Sequence, residues 1–163
     1  MHTAMNINTR TRRSAFSLIE LVIVVVIIGI IGAIAIPRMS RGAEGAADSG
    51  LRADLKIMRT AIDLYKAEHG GTLPTLADIE DQLTSYSDDA GTTNATKTTA
   101  YYLGPYLREI PTLKVGSNKG LAGFVDEQGG TTEGWVYDAA TGAVSANLPA
   151  AEVDSRGVQY NAY

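Results

Sequence analysis

The sequence contains no cysteine. That excludes zinc sites built on thiolates, thiol catalysis and disulfide staples. It does not fix the compartment; an oxidising one, if the chain meets it, is not exploited. Histidine is nearly as scarce, with His2 near the start and His69 at the end of a helical pattern. No Ser/His/Asp set, zinc spacing or glycine-rich phosphate loop accompanies them. Asp88-Asp89 and Glu80-Asp81 read as solvated loop and helix faces. No catalytic residue and no metal ligand is assigned, and the chain reads as non-enzymatic. Acids are missing from the first fifteen residues, which hold Arg10, Arg12 and Arg13. Without that stretch the net charge moves from −4 to −7. Phosphate-backbone binding needs clustered Lys and Arg, so no nucleic-acid partner is expected.

Charge is also absent from Leu21 to Ile36, sixteen mostly aliphatic residues headed by a single acid, Glu20. Phe16 to Ile36 would extend roughly 31 Å as a helix at 1.5 Å per residue, enough to cross a ~30 Å hydrocarbon core. Gly29, Gly32, Ala33 and Ala35 make part of it small-sided, which lets helices approach closely in lipid. Pro37 follows, where a kink or local unwinding is expected. A carboxylate in such a helix is costly and is a functional residue whose partner must be named. Two alternatives stand beside this. A secretory signal peptide fits the basic start and the Ala33-Ile34-Ala35 pattern, but the apolar run is longer than usual and carries an acid at its head. A plain single-pass anchor leaves Glu20 unexplained.

The run Arg12-Arg13-Ser14-Ala15-Phe16-Ser17-Leu18-Ile19-Glu20-Leu21-Val22-Ile23-Val24 resembles the N-terminal methylation motif of type IV pilin-like proteins, which include type IV pilins and the pseudopilins of type II secretion. The resemblance covers Arg12 to Ser40, with Pro37 at the family's kink position. It implies that a prepilin peptidase cuts between Ala15 and Phe16 and then N-methylates Phe16. The residue before the cut is usually Gly, and Ala15 is the smallest departure from it. The resemblance also gives Glu20 a role in subunit assembly. Cleavage frees an amine on Phe16, about 6 Å along the axis from Glu20. A neighbouring copy inserted out of register can present its amine to this acid, and pairing offsets the cost of both charges. The implied partners are further copies in a helical filament, other pseudopilins, prepilin peptidase, an inner-membrane assembly platform with its ATPase, and membrane lipid. The implied location is the inner membrane, single-pass, with a periplasmic head, and the filament after assembly. Arg38 and Arg41 follow the span, so the positive-inside rule favours this orientation only narrowly.

From Ser40 to His69 the pattern predicts a continuing helix. Ala47, Leu51, Asp54, Met58, Ile62, Tyr65 and His69 alternate spacings of four and three, widened by Leu55 and Ala61. Gly42, Gly45 and Gly50 weaken its start, each costing roughly 1 kcal/mol relative to Ala. Gly70-Gly71 ends it. Thr75 is expected to cap a second helix from Leu76 to about Thr84, with Asp78 in the capping-box place. Ser85 to Thr99 reads as an exposed loop. Its Asn94-Ala95-Thr96 is a sequon without further support. The aromatic run Ala100–Leu107 folds over the core. Strands are expected near Leu113–Val115, Ala122–Val125, Trp135–Tyr137 and Ala143–Ala146, the last two joined as a hairpin. Trp135 and Tyr137 share a face toward the long helix. From Ala150 to Tyr163 there is little pattern, and the segment reads as surface wrapping.

The fold class is α+β. A long N-terminal membrane-spanning helix continues into a small head with a short antiparallel β-sheet, the pilin-like ladle. The divisions are 1–15 leader peptide, 16–36 transmembrane and assembly helix, 37–71 amphipathic continuation and 72–163 head. Lack of cysteine, a small head and a mature length of 148 residues point to a type II secretion pseudopilin, with a pilus subunit for adhesion, motility or DNA uptake as the alternative. A membrane-tethered binding module using the tyrosine-rich stretch is the reading from another class. No cofactor is assigned. Major pseudopilins commonly carry a calcium loop, and Asp126, Glu127, Asp138, Asp154 and Ser155 offer oxygens, but without that loop's spacing, so calcium stays open and no ligand is named.

Overall fold

The computed structural model describes residues 16–163. The chain divides into two compact units, Met1–Ser40 and Arg41–Tyr163. One helix, α1 (Leu18–Glu68), contributes to both. Helix continues through Pro37 and through Gly42, Gly45 and Gly50.

The second unit is built on one face of α1. Leu51, Leu55, Met58, Ile62 and Tyr65 are buried there, as the four-and-three spacing predicts, and Ala47 packs at the edge. Two polar members of the stripe find partners. Asp54 pairs with Lys114. His69 is a satisfied core histidine: Nδ1 donates to the Tyr65 carbonyl at 2.9 Å, Nε2 accepts the Ser87 hydroxyl at 3.1 Å, and the ring stacks on Tyr65. Gly70 and Gly71 take positive φ (63° and 94°), and the Gly71 N–H donates to the Lys66 carbonyl, closing the helix as expected.

The next helix, α2 (Ile79–Thr84), starts three residues later than the sequence suggests. Thr75 does not cap it. Its hydroxyl donates to the Asp78 carboxylate instead, and the intervening residues form turns. Ile79 and Leu83 enter the core. Two-residue strands β1 (Tyr86–Ser87) and β2 (Thr93–Asn94) pair antiparallel inside the stretch read as loop. Asp88 organises their turn by accepting from the Ala90 and Thr92 N–H groups. Polar turn chemistry of this kind carries no hydrophobic alternation, so the strands leave no periodic trace.

The main sheet has the order β3 (Phe124–Val125), β4 (Trp135–Asp138), β5 (Ala143–Ala146). β4 and β5 form the expected antiparallel hairpin, closed by the Gly142 N–H on the Asp138 carbonyl at 2.7 Å. β3 pairs parallel to β4, so this sheet is mixed. Leu113–Val115 is not a strand; Leu113 and Val115 are buried from irregular chain. Trp135 and Tyr137 do share the core face, fully buried. Their polar atoms are satisfied, indole Nε1 by the Pro111 carbonyl at 2.7 Å and the phenol by the Pro74 carbonyl at 2.9 Å. A short 3-10 turn, Tyr160–Ala162, follows.

Candidate functional site

The site with the clearest chemistry lies at the start of α1. Leu18–Ile36 is an apolar segment of 19 residues with mean hydropathy 3.1, and none of it is buried among the described residues. Among the described residues, a Cβ at Gly29 or Gly32 would meet nothing within 4 Å. Phe16 is 77% exposed.

Glu20 sits at the third position of this helix. Its carboxylate Oε2 accepts the Ser17 backbone N–H at 2.9 Å, while the Leu21 N–H donates to the Ser17 carbonyl. Ser17-Leu18-Ile19-Glu20 therefore supplies one arm of a capping box, in which an acid at the third position satisfies the amide of the cap residue. The spacing was readable in the sequence; the family motif drew attention to Glu20 alone. Local chemistry follows from it. A helix N-terminus carries partial positive charge, which favours a carboxylate. One Glu20 oxygen is engaged by its own chain, next to the residue whose nitrogen a cut before Phe16 would free. Ala15, Arg12 and Arg13 lie outside the described residues.

The other sequence candidates are dispersed. Tyr102 donates to Asp89 at 2.6 Å and Tyr106 to Glu68 at 2.7 Å. Burial and the Glu68 carboxylate push the Tyr106 phenol well up. Tyr106 packs on the core while Tyr102 stays exposed. Among the calcium candidates, Asp138 accepts from the Ala140 N–H and the Thr141 hydroxyl, capping its own hairpin. Asp154 is committed to Arg52, Arg156 and Tyr163, and Ser155 to Asp48. Among the described residues no three His, Cys, Asp or Glu side chains come together in a way that could hold a metal ion. Sequence reasoning missed the Asp48–Asp154 polar cluster, whose members are about a hundred residues apart.

A family model described as the prokaryotic N-terminal methylation motif matches residues 10–36. No curated protein and no solved structure matches the chain. The motif and the apolar helix fit membrane anchoring, and the motif's family is structural rather than enzymatic. The match supports a type IV pilin-like prepilin-peptidase substrate over these residues.

Proposed function

We propose that this chain is a pseudopilin of a type II secretion system. In this reading it waits in the inner membrane with its head in the periplasm. Prepilin peptidase cuts between Ala15 and Phe16 and methylates the new amine. The platform and its ATPase then drive the subunit into a filament with other copies and other pseudopilins, with any bend confined near Pro37. The observation that carries the reading is a lone carboxylate, Glu20, at the head of an apolar helix whose large side chains are exposed among the described residues. A membrane helix with no cover and one acid needs neighbours that bring both apolar surface and a positive charge. Another copy brings both, its apolar helix as the surface and its freed Phe16 amine as the charge. The absence of cysteine supports a pseudopilin over the many pilus subunits that close a loop with a disulfide.

Mass analysis of the mature N-terminus tests the processing step. The expected product starts at methylated Phe16, whereas a start at Ile36 would restore a signal peptide. Glu20→Ala should still be cleaved yet assemble poorly; normal filaments from that variant would remove the charge-pairing mechanism. Deletion should block secretion, and long surface fibres at native expression would instead assign the chain to a pilus.

A further inference from the structure

The three glycines that weaken α1 after Pro37 sit in different surroundings. Gly50 lies against the Lys114 stem, where a Cβ would come within 2.8 Å of Cδ. Among the described residues, a Cβ at Gly42 or Gly45 would meet nothing within 4 Å. Gly42, Ala43 and Ala46 are exposed. Ser49 adds a second weakness, because its hydroxyl donates to the Gly45 carbonyl at 2.8 Å. Such a back-bond slightly destabilises a helix and favours bending. Each glycine lowers the weight of the helical state roughly five-fold relative to alanine. Residues 42–46 are helical all the same.

Tertiary hold begins at the next turn. Ala47 packs at the edge of the core. Asp48 is 2% exposed, and both its carboxylate oxygens are engaged. Oδ2 accepts from the Ser155 N–H (3.1 Å) and the Ser155 hydroxyl (2.8 Å), and Oδ1 accepts from the Tyr160 hydroxyl (2.7 Å). Tyr160 packs on the apolar core, so this bond ties Asp48 to that core. Leu51, one turn further on, is fully buried. A helix that starts at Asp48 also starts on a carboxylate, which suits the positive end of its dipole.

We infer that residues 42–46 form a hinge in α1 and that Asp48 is its stop. The hinge is helical at rest. It unwinds without opening the core, because segments with few buried apolar contacts open locally at lower free energy than packed ones. Asp48 keeps the helix intact beyond it, so the opening does not spread into the buried stripe that starts at Leu51. This hinge works in the free subunit. It is separate from any bend that assembly imposes near Pro37, five residues before Gly42.

Hydrogen exchange of the full chain in detergent micelles, read residue by residue by NMR, tests both parts. Amides of residues 43–49 should exchange at least roughly a hundred-fold faster than those of residues 55–62. Equal protection over the two stretches would overturn the hinge. So would a fast stretch centred on Pro37 that leaves residues 43–49 protected. Gly42→Ala combined with Gly45→Ala should slow residues 43–49 roughly twenty-fold, about the product of the two glycine effects. Unchanged rates in that variant would also overturn it. The stop is read at Leu51 and Arg52, whose amides bond the Ala47 and Asp48 carbonyls in the helical ladder. Tyr160→Phe removes one bond to Asp48 and keeps the ring for the core. Both amides should then exchange roughly ten-fold faster, as for loss of a hydrogen bond to a charged group, with residues 55–62 unchanged. Ser155→Ala, at an exposed residue, should act in the same direction. No change at Leu51 and Arg52 in either variant would overturn the stop. An equal rise over residues 55–62 would mean that the whole head opens, and would overturn it too.

Discussion

The two halves of α1 solve the same problem in opposite ways. From Leu51 to Tyr65 the helix is amphipathic, and its apolar stripe is buried by the head of its own chain. From Leu21 to Ile36 it is apolar all round, and none of it is buried among the described residues. Each large aliphatic side chain taken out of water is worth roughly 1.5–3 kcal/mol. The second half therefore collects that energy within the subunit, while the first leaves it to lipid or to other copies. The difference teaches where the constraints lie. Substitutions in the head half act on folding of one chain, and those in the first half act on what the chain assembles with.

The sharpest way to break this division is to damage the head alone. Trp135→Ala removes a fully buried indole and leaves the Pro111 carbonyl without its donor. The expected loss is about 3–5 kcal/mol, in line with large-to-small core changes. Near-ultraviolet circular dichroism of the full chain during denaturation should show it. Membrane fractionation should be unchanged, and loss of membrane association in this variant would mean that the two halves depend on each other.

Acid should act on the same side of the division. Asp48 and Asp154 are both held below the ordinary carboxylate value. Burial alone would raise each; for Asp48 the Tyr160 hydroxyl and the Ser155 N–H and hydroxyl outweigh it. For Asp154 the Tyr163 hydroxyl, two backbone N–H groups and Arg156 do so. A lowered folded value means that the unfolded chain binds more protons, so the stabilisation is present above the unfolded value, near 3.8, and is lost as the pH falls below it. Thermal melts should show the head Tm dropping below about pH 4, and Asp154→Asn should flatten that drop. An unchanged slope in the variant would place the acid sensitivity elsewhere.

These cases also mark what the sequence disclosed. The α1 stripe was legible because one helix carries its own period, and the β4–β5 hairpin because the turn residues Asp138 to Gly142 separate two short apolar runs. The N-terminal site was legible because a charge stands out against an apolar run. The contribution of Ser17 to holding Glu20 was encoded but overshadowed by the motif. The Asp48–Ser155–Tyr160 and Arg52–Asp154–Tyr163 contacts could not be read, since each joins polar residues more than a hundred positions apart with no local pattern. The parallel β3 pairing was hidden for a related reason: two residues are too few to show alternation.

The smallest expected effect separates propensity from packing within the head half. As a helix residue, Gly50 costs roughly 1 kcal/mol against Ala, and sequence alone marks it as a weak point. The structure gives it a use. A Cβ at Gly50 would come within 2.8 Å of Lys114 Cδ, so the glycine seats the aliphatic stem that carries the Lys114 ammonium to Asp54 one turn on. The clash falls on a flexible, half-exposed side chain, which can swing away. Gly50→Ala then gains the helix propensity and gives up a partly exposed ion pair worth about 0–1 kcal/mol. The two offset each other, and the melting free energy should move by less than about 1 kcal/mol. A double-mutant cycle with Lys114→Ala tells the contributions apart. Without Lys114 the alanine has nothing to displace, so Gly50→Ala should stabilise by nearly the full propensity difference. Equal effects in both backgrounds would show that the glycine is not Lys114's seat.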